Sequence, residues 1–331
     1  MQNCKHVLSC DWGTSSFRLR LIEIDGIKCI AEVSSDNGNA VLFKKWKEQS
    51  STNRIHYYLQ YLKDSIISLQ EKTSFSLDNL PILISGMASS SIGMKELPYA
   101  DTPFSLDGHS AYSEWINTGG LLSNPLLLIS GVEQPGDVMR GEETQLAGLT
   151  TLMDLPHNNG MLYLFPGTHC KHITVSNNRI IHFSTFMTGE IFDLLIKHSI
   201  LSHAVSASYN KLLTDEESDS FRGGVLKAFG SELLSSLFSV RINQLKKYLS
   251  SQQNYFYLSG LLIGSEIKYL LNDKNRKFVL CSTGNLLRLY HSALVSAGLS
   301  DQTIVVTSGI LDNSAAAGQV KIFRNMVSKS N

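Results

Sequence analysis

Two short turns pair glycine with threonine at points where predicted strands reverse direction. The first is Asp11-Trp12-Gly13-Thr14-Ser15-Ser16, and the second is Phe165-Pro166-Gly167-Thr168-His169. Glycine lets the backbone approach an anion closely, and backbone N–H groups with a hydroxyl can hold phosphate oxygens. One such turn alone is more typical of a tight hairpin, but two in equivalent places predict phosphate binding. The candidate phosphate-binding residues are Asp11, Gly13, Thr14, Ser15, Ser16, Gly167, Thr168 and His169.

Asp11 adds a carboxylate to the first turn, at the end of a predicted buried strand. A carboxylate beside phosphates suits Mg²⁺, either directly or through water, so Asp11 is the candidate metal ligand. The sequence contains neither GxxxxGK[ST] nor GxGxxG, which argues against a P-loop or a Rossmann nucleotide site. His169-Cys170-Lys171-His172 has no second ligand pair, and this argues against zinc.

Three carboxylates cluster in the segment that joins the two halves of the chain: Asp137, Glu142 and Glu143. A hydroxyl that attacks a phosphate needs an acceptor for its proton, and a carboxylate can serve as that base. We favour Glu142 over the other two for this role. The alternative is that these residues are helix N-terminal carboxylates that interact with the helix dipole.

Arg140 is the candidate partner for a substrate carboxylate, because arginine binds carboxylates through two parallel hydrogen bonds. Arg18, on a predicted strand, is the other candidate, and it is equally typical of a surface or bridging residue. Glu190 follows Gly189 and fits either a ligand-facing residue or a first-turn helix carboxylate.

A third glycine-containing segment, Leu258–Glu266, is predicted to lie where a strand leads into a helix. Glycine at Gly260 and Gly264 would let a flat ligand lie against the backbone, and the helix N-terminus would offer N–H donors. Close packing of a helix on a sheet explains the same two glycines equally well.

The elements that must position these residues are predicted to occur twice along the chain. Each copy has three strands, a helix and then alternating strands and helices, which indicates an α/β domain with a mixed sheet. In the first copy the predicted strands are His6–Cys10, Phe17–Ile24, Cys29–Val33, Ile82–Ser85 and Leu126–Ser130, with a helix at Asn53–Lys72. In the second they are Met161–Phe165, His172–Ser176, Arg179–Phe183, Tyr255–Ser259, Phe278–Ser282 and Thr303–Thr307, with helices from about Gly189 to His198 and from about Asp312. Another helix is predicted at Gly141–Leu152, at the boundary.

The length of 331 residues accommodates two domains with separate cores. Lys+Arg and Asp+Glu both total 29, so no charge excess points to nucleic acid or to a membrane as the partner. Five dispersed cysteines and the lack of an apolar leader or spanning run are typical of a reduced cytoplasmic protein. The sequence leaves homo-oligomerisation open and gives no signal for it.

In their order and spacing, several segments resemble those of the 2-dehydro-3-deoxygalactonokinases, within the sugar kinase/actin/Hsp70 superfamily. They are Asp11–Ser16 with Arg18, Ser85-Gly86-Met87, Leu97-Pro98-Tyr99, Pro135–Glu143, Pro166–His169, Met187-Thr188-Gly189-Glu190 and Ser259–Gly264. The resemblance runs nearly end to end. It implies two tandem RNase H-like (actin-like ATPase) domains, at residues 1–138 and 139–331, with a mixed sheet in each and an interdomain cleft.

The resemblance also implies an activity, which is phosphorylation of 2-dehydro-3-deoxy-D-galactonate at its 6-hydroxyl by MgATP in galactonate catabolism. The first domain would hold the first phosphate turn and the sugar-acid pocket, including Ser85, Gly86 and Met87. The second would hold the other phosphate turn and the adenosine segment, with Gly260, Leu261 and Gly264.

Two stretches depart from the pattern of this family. After Ser85-Gly86-Met87 the family commonly carries an arginine and a tryptophan, whereas this chain has Ala88–Met94. Cys170 and His172 stand where serine and tryptophan are common. The phosphate segments are intact, but the substrate stays open to a related sugar or sugar acid. An actin-type nucleotide-binding protein without metabolic activity is the alternative from another functional class.

Overall fold

The computed structural model describes residues 4–49, 53–154, 160–207, 213–273 and 275–329. It divides into two units. The first consists of Met1–His157, Ser176–His182 and Gly309–Asn331, and the second of Asn158–Val175 and Phe183–Ser308. Among the described residues, no helix combines the length and the apolarity needed to cross a bilayer.

The first unit contains a mixed sheet whose central strand carries the first glycine-threonine turn. Up to residue 154 its elements are β1 (His6–Trp12), β2 (Phe17–Glu23), β3 (Lys28–Ser35), α1 (Asn39–Glu48), α2 (Arg54–Gln70), β4 (Ile82–Gly86), β5 (Ala100–Asp101), β6 (Phe104–Ser105), β7 (Ser113–Ile116), β8 (Leu126–Ile129), β9 (Val132–Gln134), β10 (Asp137–Met139) and α3 (Glu142–Leu152). The strand order is β3-β2-β1-β4-β8-β7. β1 pairs antiparallel with β2 and parallel with β4.

Strand β1 is buried on both faces, which explains its nearly continuous apolar sequence. Because side chains alternate between faces, Leu8, Cys10 and Trp12 join one core with the α2 residues Leu59 and Leu62. Val7 faces the other way, into a cluster that includes residues from the C-terminal part of the chain. A strand covered on both faces gives the turn that follows it a rigid base.

The second unit repeats this arrangement around its own central strand. The remaining elements are β11 (Met161–Phe165), β12 (Cys170–Ser176), β13 (Arg179–Phe186), α4 (Thr188–His198), α5 (Asp215–Phe229), α6 (Leu233–Leu245), α7 (Ser251–Ile267), β14 (Phe278–Leu280), α8 (Gly284–Ser296), β15 (Thr303–Val305) and α9 (Ser308–Lys329). The strands of this unit follow the order β15-β14-β11-β12-β13. β11 pairs antiparallel with β12 and parallel with β14, as β1 does with β2 and β4. The prediction of two α/β domains with mixed sheets is therefore confirmed.

The predicted strand Tyr255–Ser259 is wrong, because these residues lie inside helix α7. Aromatic residues favour strands, but Ser250 and Gln253 form a capping box that starts a helix just before them. Burial of most of α7 removes the polar stripe that would have shown helical periodicity.

Helices α3 and α9 cross at a contact made by two glycines. A β-carbon on Gly148 would lie 1.8 Å from the carbonyl oxygen of Ser314, and one on Gly318 would lie 1.9 Å from that of Thr144. Lys321 of α9 also donates to the carbonyl oxygen of Ala147 in α3 at 2.9 Å. This packing groups α3 and most of α9 with the first unit. The sequence-based division at 138/139 instead assigns both helices to the second domain.

We predict that Gly318→Ala destabilises the protein by roughly 1–3 kcal/mol, because the added methyl group overpacks the crossing. Gly309→Ala is the matched control in the same helix, since no atom lies within 4 Å of its β-carbon position. That change should leave stability unaltered or raise it by up to about 1 kcal/mol. Urea unfolding of both variants checks this, and equal midpoints would contradict the proposed crossing.

Candidate functional site

The first glycine-threonine turn closes the β1–β2 hairpin and is fixed from outside by the start of α1. The Gly13 N–H donates to the carbonyl oxygen of Ser16 at 2.9 Å. The Asn39 and Ala40 N–H groups donate to the carbonyl oxygens of Gly13 and Thr14, each at 3.0 Å. The protein thus binds the turn through its carbonyl groups, and the residues from Thr14 to Ser16 stay exposed. This geometry suits an anion-binding turn.

Asp11 lies on the face of the sheet that helix α9 covers. Its cross-strand partner is Arg18, and Arg20 follows on the same face opposite Ser9. Arg18 contacts Asp312 of α9 at 3.1 Å, and Arg20 donates to the carbonyl oxygen of Asp312 at 2.7 Å. Arg18 therefore belongs to a charged cluster beside Asp11.

Burial raises the pKa of the Asp11 carboxyl, and the positive charges of Arg20 and then Arg18 oppose that rise. The negative charge of Glu142 raises the pKa further, so two carboxylates act on each other at this point. Among the described residues, no group of three or more His, Cys, Asp or Glu side chains is arranged around one metal position. A cation held by Asp11 would therefore need phosphate or water for most of its ligands, which suits Mg²⁺.

The three predicted base candidates lie in different settings. Glu142 is the first residue of α3 and is half-buried. Its negative charge is one of the causes that raise the pKa of Asp11. Glu143 is buried and accepts hydrogen bonds from the Gly141 N–H and the Thr144 hydroxyl, each at 2.8 Å. Burial and the charge of Glu142 raise its pKa to about 7. Asp137 lies at the start of β10, next to the Pro135-Gly136 hairpin turn.

Two glycines with positive φ bring the start of α3 against the end of β4. Gly86 has a φ of 93° and Gly141 a φ of 109°. A β-carbon on Gly141 would lie 3.4 Å from the Gly86 α-carbon, and one on Gly86 would lie 2.8 Å from the Trp12 carbonyl oxygen. The ends of β1 and β4 and the start of α3 therefore meet at one place.

The two residues beside Gly86 differ in exposure. Ser85 is buried and accepts a hydrogen bond from Gln319, whereas Met87 is partly exposed.

Arg140 is already engaged in several contacts within the protein. It donates to the Ser89 hydroxyl at 2.8 Å, to the Ser130 hydroxyl at 2.9 Å and to the Leu97 carbonyl oxygen at 2.9 Å. Its guanidinium also lies 3.8 Å from the ring centroid of Tyr99. These contacts make Arg140 the residue that holds the loop after β4 in place, and its role as a substrate ligand stays a prediction.

The second glycine-threonine turn packs against the start of α4. A β-carbon on Gly189 would lie 2.4 Å from the Gly167 carbonyl oxygen, and the Glu190 N–H donates to the Thr168 carbonyl oxygen at 3.0 Å. Thr168 and His169 are exposed, and the His169 imidazole contacts the Glu190 carboxylate. As in the first unit, the carbonyl groups are bound by the protein and the turn residues face outward.

A buried polar network beneath this turn was missed by the sequence reasoning. The Glu266 carboxylate contacts His172 at 2.8 Å, Tyr290 at 2.6 Å and the Thr188 hydroxyl. The Tyr290 hydroxyl lies 3.0 Å from the Cys170 sulfur, which in turn accepts a hydrogen bond from the Gly167 N–H at 3.4 Å. The network therefore connects α7 to the turn itself. A polar residue in the apolar run of α7 is the signal that could have revealed it.

The glycines of α7 are explained by contact with another helix. A β-carbon on Gly260 would lie 2.1 Å from the Phe221 carbonyl oxygen, and one on Gly264 would lie 2.9 Å from Val225 atoms, both in α5. Close helix packing thus accounts for both glycines, although the partner is a helix and not the sheet. The adenosine role of Gly260, Leu261 and Gly264 stays a prediction that this packing does not need.

A strand end that leads into a helix does occur further along the chain. β14 runs parallel to β11, so its carboxyl end lies beside the end of the strand that leads into the second turn. Thr283, Gly284 and Asn285 follow it and are exposed. Gly284 has a φ of 59°, and no atom lies within 4 Å of its β-carbon position. This is the kind of place where open α/β sheets bind ligands.

Known proteins are similar to this chain along most of its length. The family model for 2-keto-3-deoxy-galactonokinase matches residues 11–320. The chain belongs to that family. A Rhizobium meliloti (strain 1021) protein named probable 2-dehydro-3-deoxygalactonokinase DgoK1 is 31% identical over 96% of this chain and 98% of its own length. The 2-dehydro-3-deoxygalactonokinase of Escherichia coli (strain K12) is 29% identical over 78% of each chain.

A solved structure of the 2-keto-3-deoxy-galactonokinase family has the same fold as this chain. A Sinorhizobium meliloti structure described as a 2-dehydro-3-deoxygalactonokinase protein superposes with a TM-score of 0.77 at 31% identity. It covers 97% of this chain and 99% of that chain. The protein is therefore a kinase of this family, a phosphotransferase with an alcohol group as acceptor and an actin-like ATPase fold.

We predict that Glu266→Gln lowers the free energy of unfolding of this 2-keto-3-deoxy-galactonokinase family member by roughly 1–3 kcal/mol. Three hydrogen-bonding groups converge on the buried carboxylate, and an amide leaves at least one of them unsatisfied. Glu190→Gln is the matched control, because it changes a partly exposed glutamate that also pairs with a histidine of the second turn. Its effect should not exceed about 1 kcal/mol. Chemical denaturation measures both, and an equal loss would contradict the central role of Glu266.

Proposed function

We propose that the protein transfers the γ-phosphate of MgATP to the 6-hydroxyl of 2-dehydro-3-deoxy-D-galactonate, in galactonate catabolism in the cytoplasm. Family membership supports the kinase activity and the class of acceptor. The structural observation that supports it most is the meeting of Asp11 with the start of α3 at Gly86. The β-carbon position of Gly86 lies 3.6 Å from an Asp11 carboxylate oxygen, and that of Gly141, the residue before Glu142, lies 3.4 Å from the Gly86 α-carbon. This gives one carboxylate for a cation and another for a proton.

We assign Asp11 to Mg²⁺. Its partly buried carboxyl has a pKa that desolvation raises, so a cation beside it would stabilise the ionised form. Bound there, the cation would neutralise phosphate charge. We assign the phosphate contacts to Gly13, Thr14, Ser15 and Ser16 in the first turn and to Gly167, Thr168 and His169 in the second.

Glu142 is the base in this proposal. Its carboxylate accepts the proton of the acceptor hydroxyl while the hydroxyl oxygen forms a bond to the γ-phosphorus and ADP leaves. Glu143 is less suited, because its two oxygens bind Gly141 and Thr144 within the protein. Asp137 stays the second candidate, since it lies in the same segment at the start of β10.

For the nucleoside we propose the carboxyl end of β14 and the first turn of α8. The support is the exposed Thr283-Gly284-Asn285 segment, in which Gly284 leaves open space on its α-carbon. In the segment from Gly260 to Gly264, by contrast, both glycines have their α-carbons against α5. A flat base could lie against Gly284, and the N-terminus of α8 offers N–H donors.

For the sugar acid we retain Ser85, Gly86, Met87 and Arg140. Because Arg140 is held by Ser89, Ser130 and Leu97, its role would include fixing the loop that contains Ala88–Met94. That loop is also where the sequence departs from the family pattern. A related sugar acid is therefore the second candidate substrate, and the substrate screen decides between the two.

We predict that ADP release from MgATP is slow alone and rises sharply with 2-dehydro-3-deoxy-D-galactonate, because closure around the γ-phosphate should need the bound acceptor. A coupled assay with a panel of aldonic and keto-deoxy acids measures this. Stimulation by another acid alone would assign the substrate to that acid. Equal ADP release with and without every acid would contradict the kinase proposal.

We predict that Glu142→Gln slows the chemical step by roughly 10²–10⁴-fold and leaves ATP affinity near normal, because it removes only the basicity. Single-turnover phosphoryl transfer and nucleotide titration give the two quantities. Asp137→Asn is the matched control and should retain most of the rate. A full rate in Glu142→Gln with a collapsed rate in Asp137→Asn would transfer the role to Asp137.

A further inference from the structure

Helix α6 exposes a row of large apolar side chains to solvent. Leu234 is 86% exposed, Phe238 56%, Ile242 37% and Leu245 58%, and Tyr248 just beyond the helix is 68% exposed. Spacings of four, four and three residues place the first four on one face of the helix. A contiguous apolar face of this kind is typical of an interaction surface.

The opposite face of α6 already has its place in the protein. Ser236 and Val240 are buried, and Leu233 and Leu237 pack against the cluster that includes Leu258 of α7. The helix is thus apolar on both sides, although only one side is covered within the chain. An exposed face with four large apolar side chains in a row is typical of a surface that a partner covers.

The charges at the two ends of α6 indicate what the partner is. Glu232, immediately before the helix, is exposed, and Lys246 and Lys247, immediately after it, are exposed as well. A second copy of α6 that ran antiparallel would bring Glu232 of each copy beside the lysines of the other. A parallel copy would bring like charges together. The face is therefore complementary to itself only in the antiparallel orientation.

We propose that two copies of this chain associate through antiparallel α6 helices across a two-fold axis. In this register Leu234 of one copy packs against Leu245 of the other, and Phe238 and Ile242 lie near the axis. Leu234 and Leu245 are 11 residues apart, so the apolar contact extends over about 16 Å of helix. The same patch on both copies makes the interface isologous and closed, so it produces dimers and not filaments.

Sedimentation velocity over a dilution series tests the apolar part of this interface. We expect the wild-type chain to be a dimer and the Leu234→Asp/Phe238→Asp double variant to be a monomer. Because both side chains are exposed in the single chain, circular dichroism should show an unchanged fold. Ile67→Asp is the control, since Ile67 is 55% exposed on α2, and it should leave the dimer intact. A monomeric wild type, or a dimer that survives the double variant, would overturn the proposal.

Charge exchange tests the antiparallel orientation. Glu232→Lys alone and Lys246→Glu/Lys247→Glu alone should each weaken the dimer about tenfold or more, because like charges then face each other. Combining all three changes should restore most of the affinity. Glu232 also lies 3.7 Å from Lys268 of its own chain. Lys268→Ala is the control for the loss of this pair, and it should leave the dissociation constant of the dimer unchanged. Failure of the combined variant to recover would overturn the antiparallel arrangement.

Discussion

The close crossing of α3 and α9 determines where the charged groups of the first unit lie. Gly148 and Gly318 allow the two backbones to meet at a distance that a β-carbon would prevent. The crossing fixes α9, whose Asp312 binds Arg18 and Arg20 beside Asp11. It also fixes α3, whose first residue is Glu142. The positions of the two carboxylates proposed for the cation and the proton therefore depend on this crossing, in which Gly318 meets Thr144, two residues after Glu142.

Much of the fold could be predicted because its signals are local. The strand-turn-strand units at Asp11 and at Gly167 show the alternation, glycine and apolar runs that define buried hairpins. Each hairpin lies in its own sheet, and in both sheets the strand that leads into the turn is central. The repeated sequence pattern predicts this correspondence. The family segments were recognisable for the same reason, since each is short and contiguous in the sequence.

What the sequence could not show was which surface each residue faces. Gly260 and Gly264 are predicted to contact a nucleoside, and the sequence does not show whether the space beside a glycine holds a ligand or another helix. Arg140 is predicted to bind a substrate because arginine commonly binds carboxylates. Its four partners within the protein, from Ser89 to Ser130, could not be predicted, because they come from separate segments of the chain. Glu266 was missed because its contacts to Thr188 and Tyr290 likewise depend on tertiary structure.

The two histidines near the second turn show how burial separates structural from functional candidates of the same residue type. His169 and Glu190 are both partly exposed, so their pair can open towards a ligand at little cost. His172 and Glu266 are both about 1% exposed, and loss of either partner would leave a buried polar group unsatisfied. His172 and Cys170 are also the residues that depart from the family pattern at this turn. Both belong to the network around Glu266, so the departures affect residues that support the turn from beneath. The exposed residues Thr168 and His169 keep the family pattern.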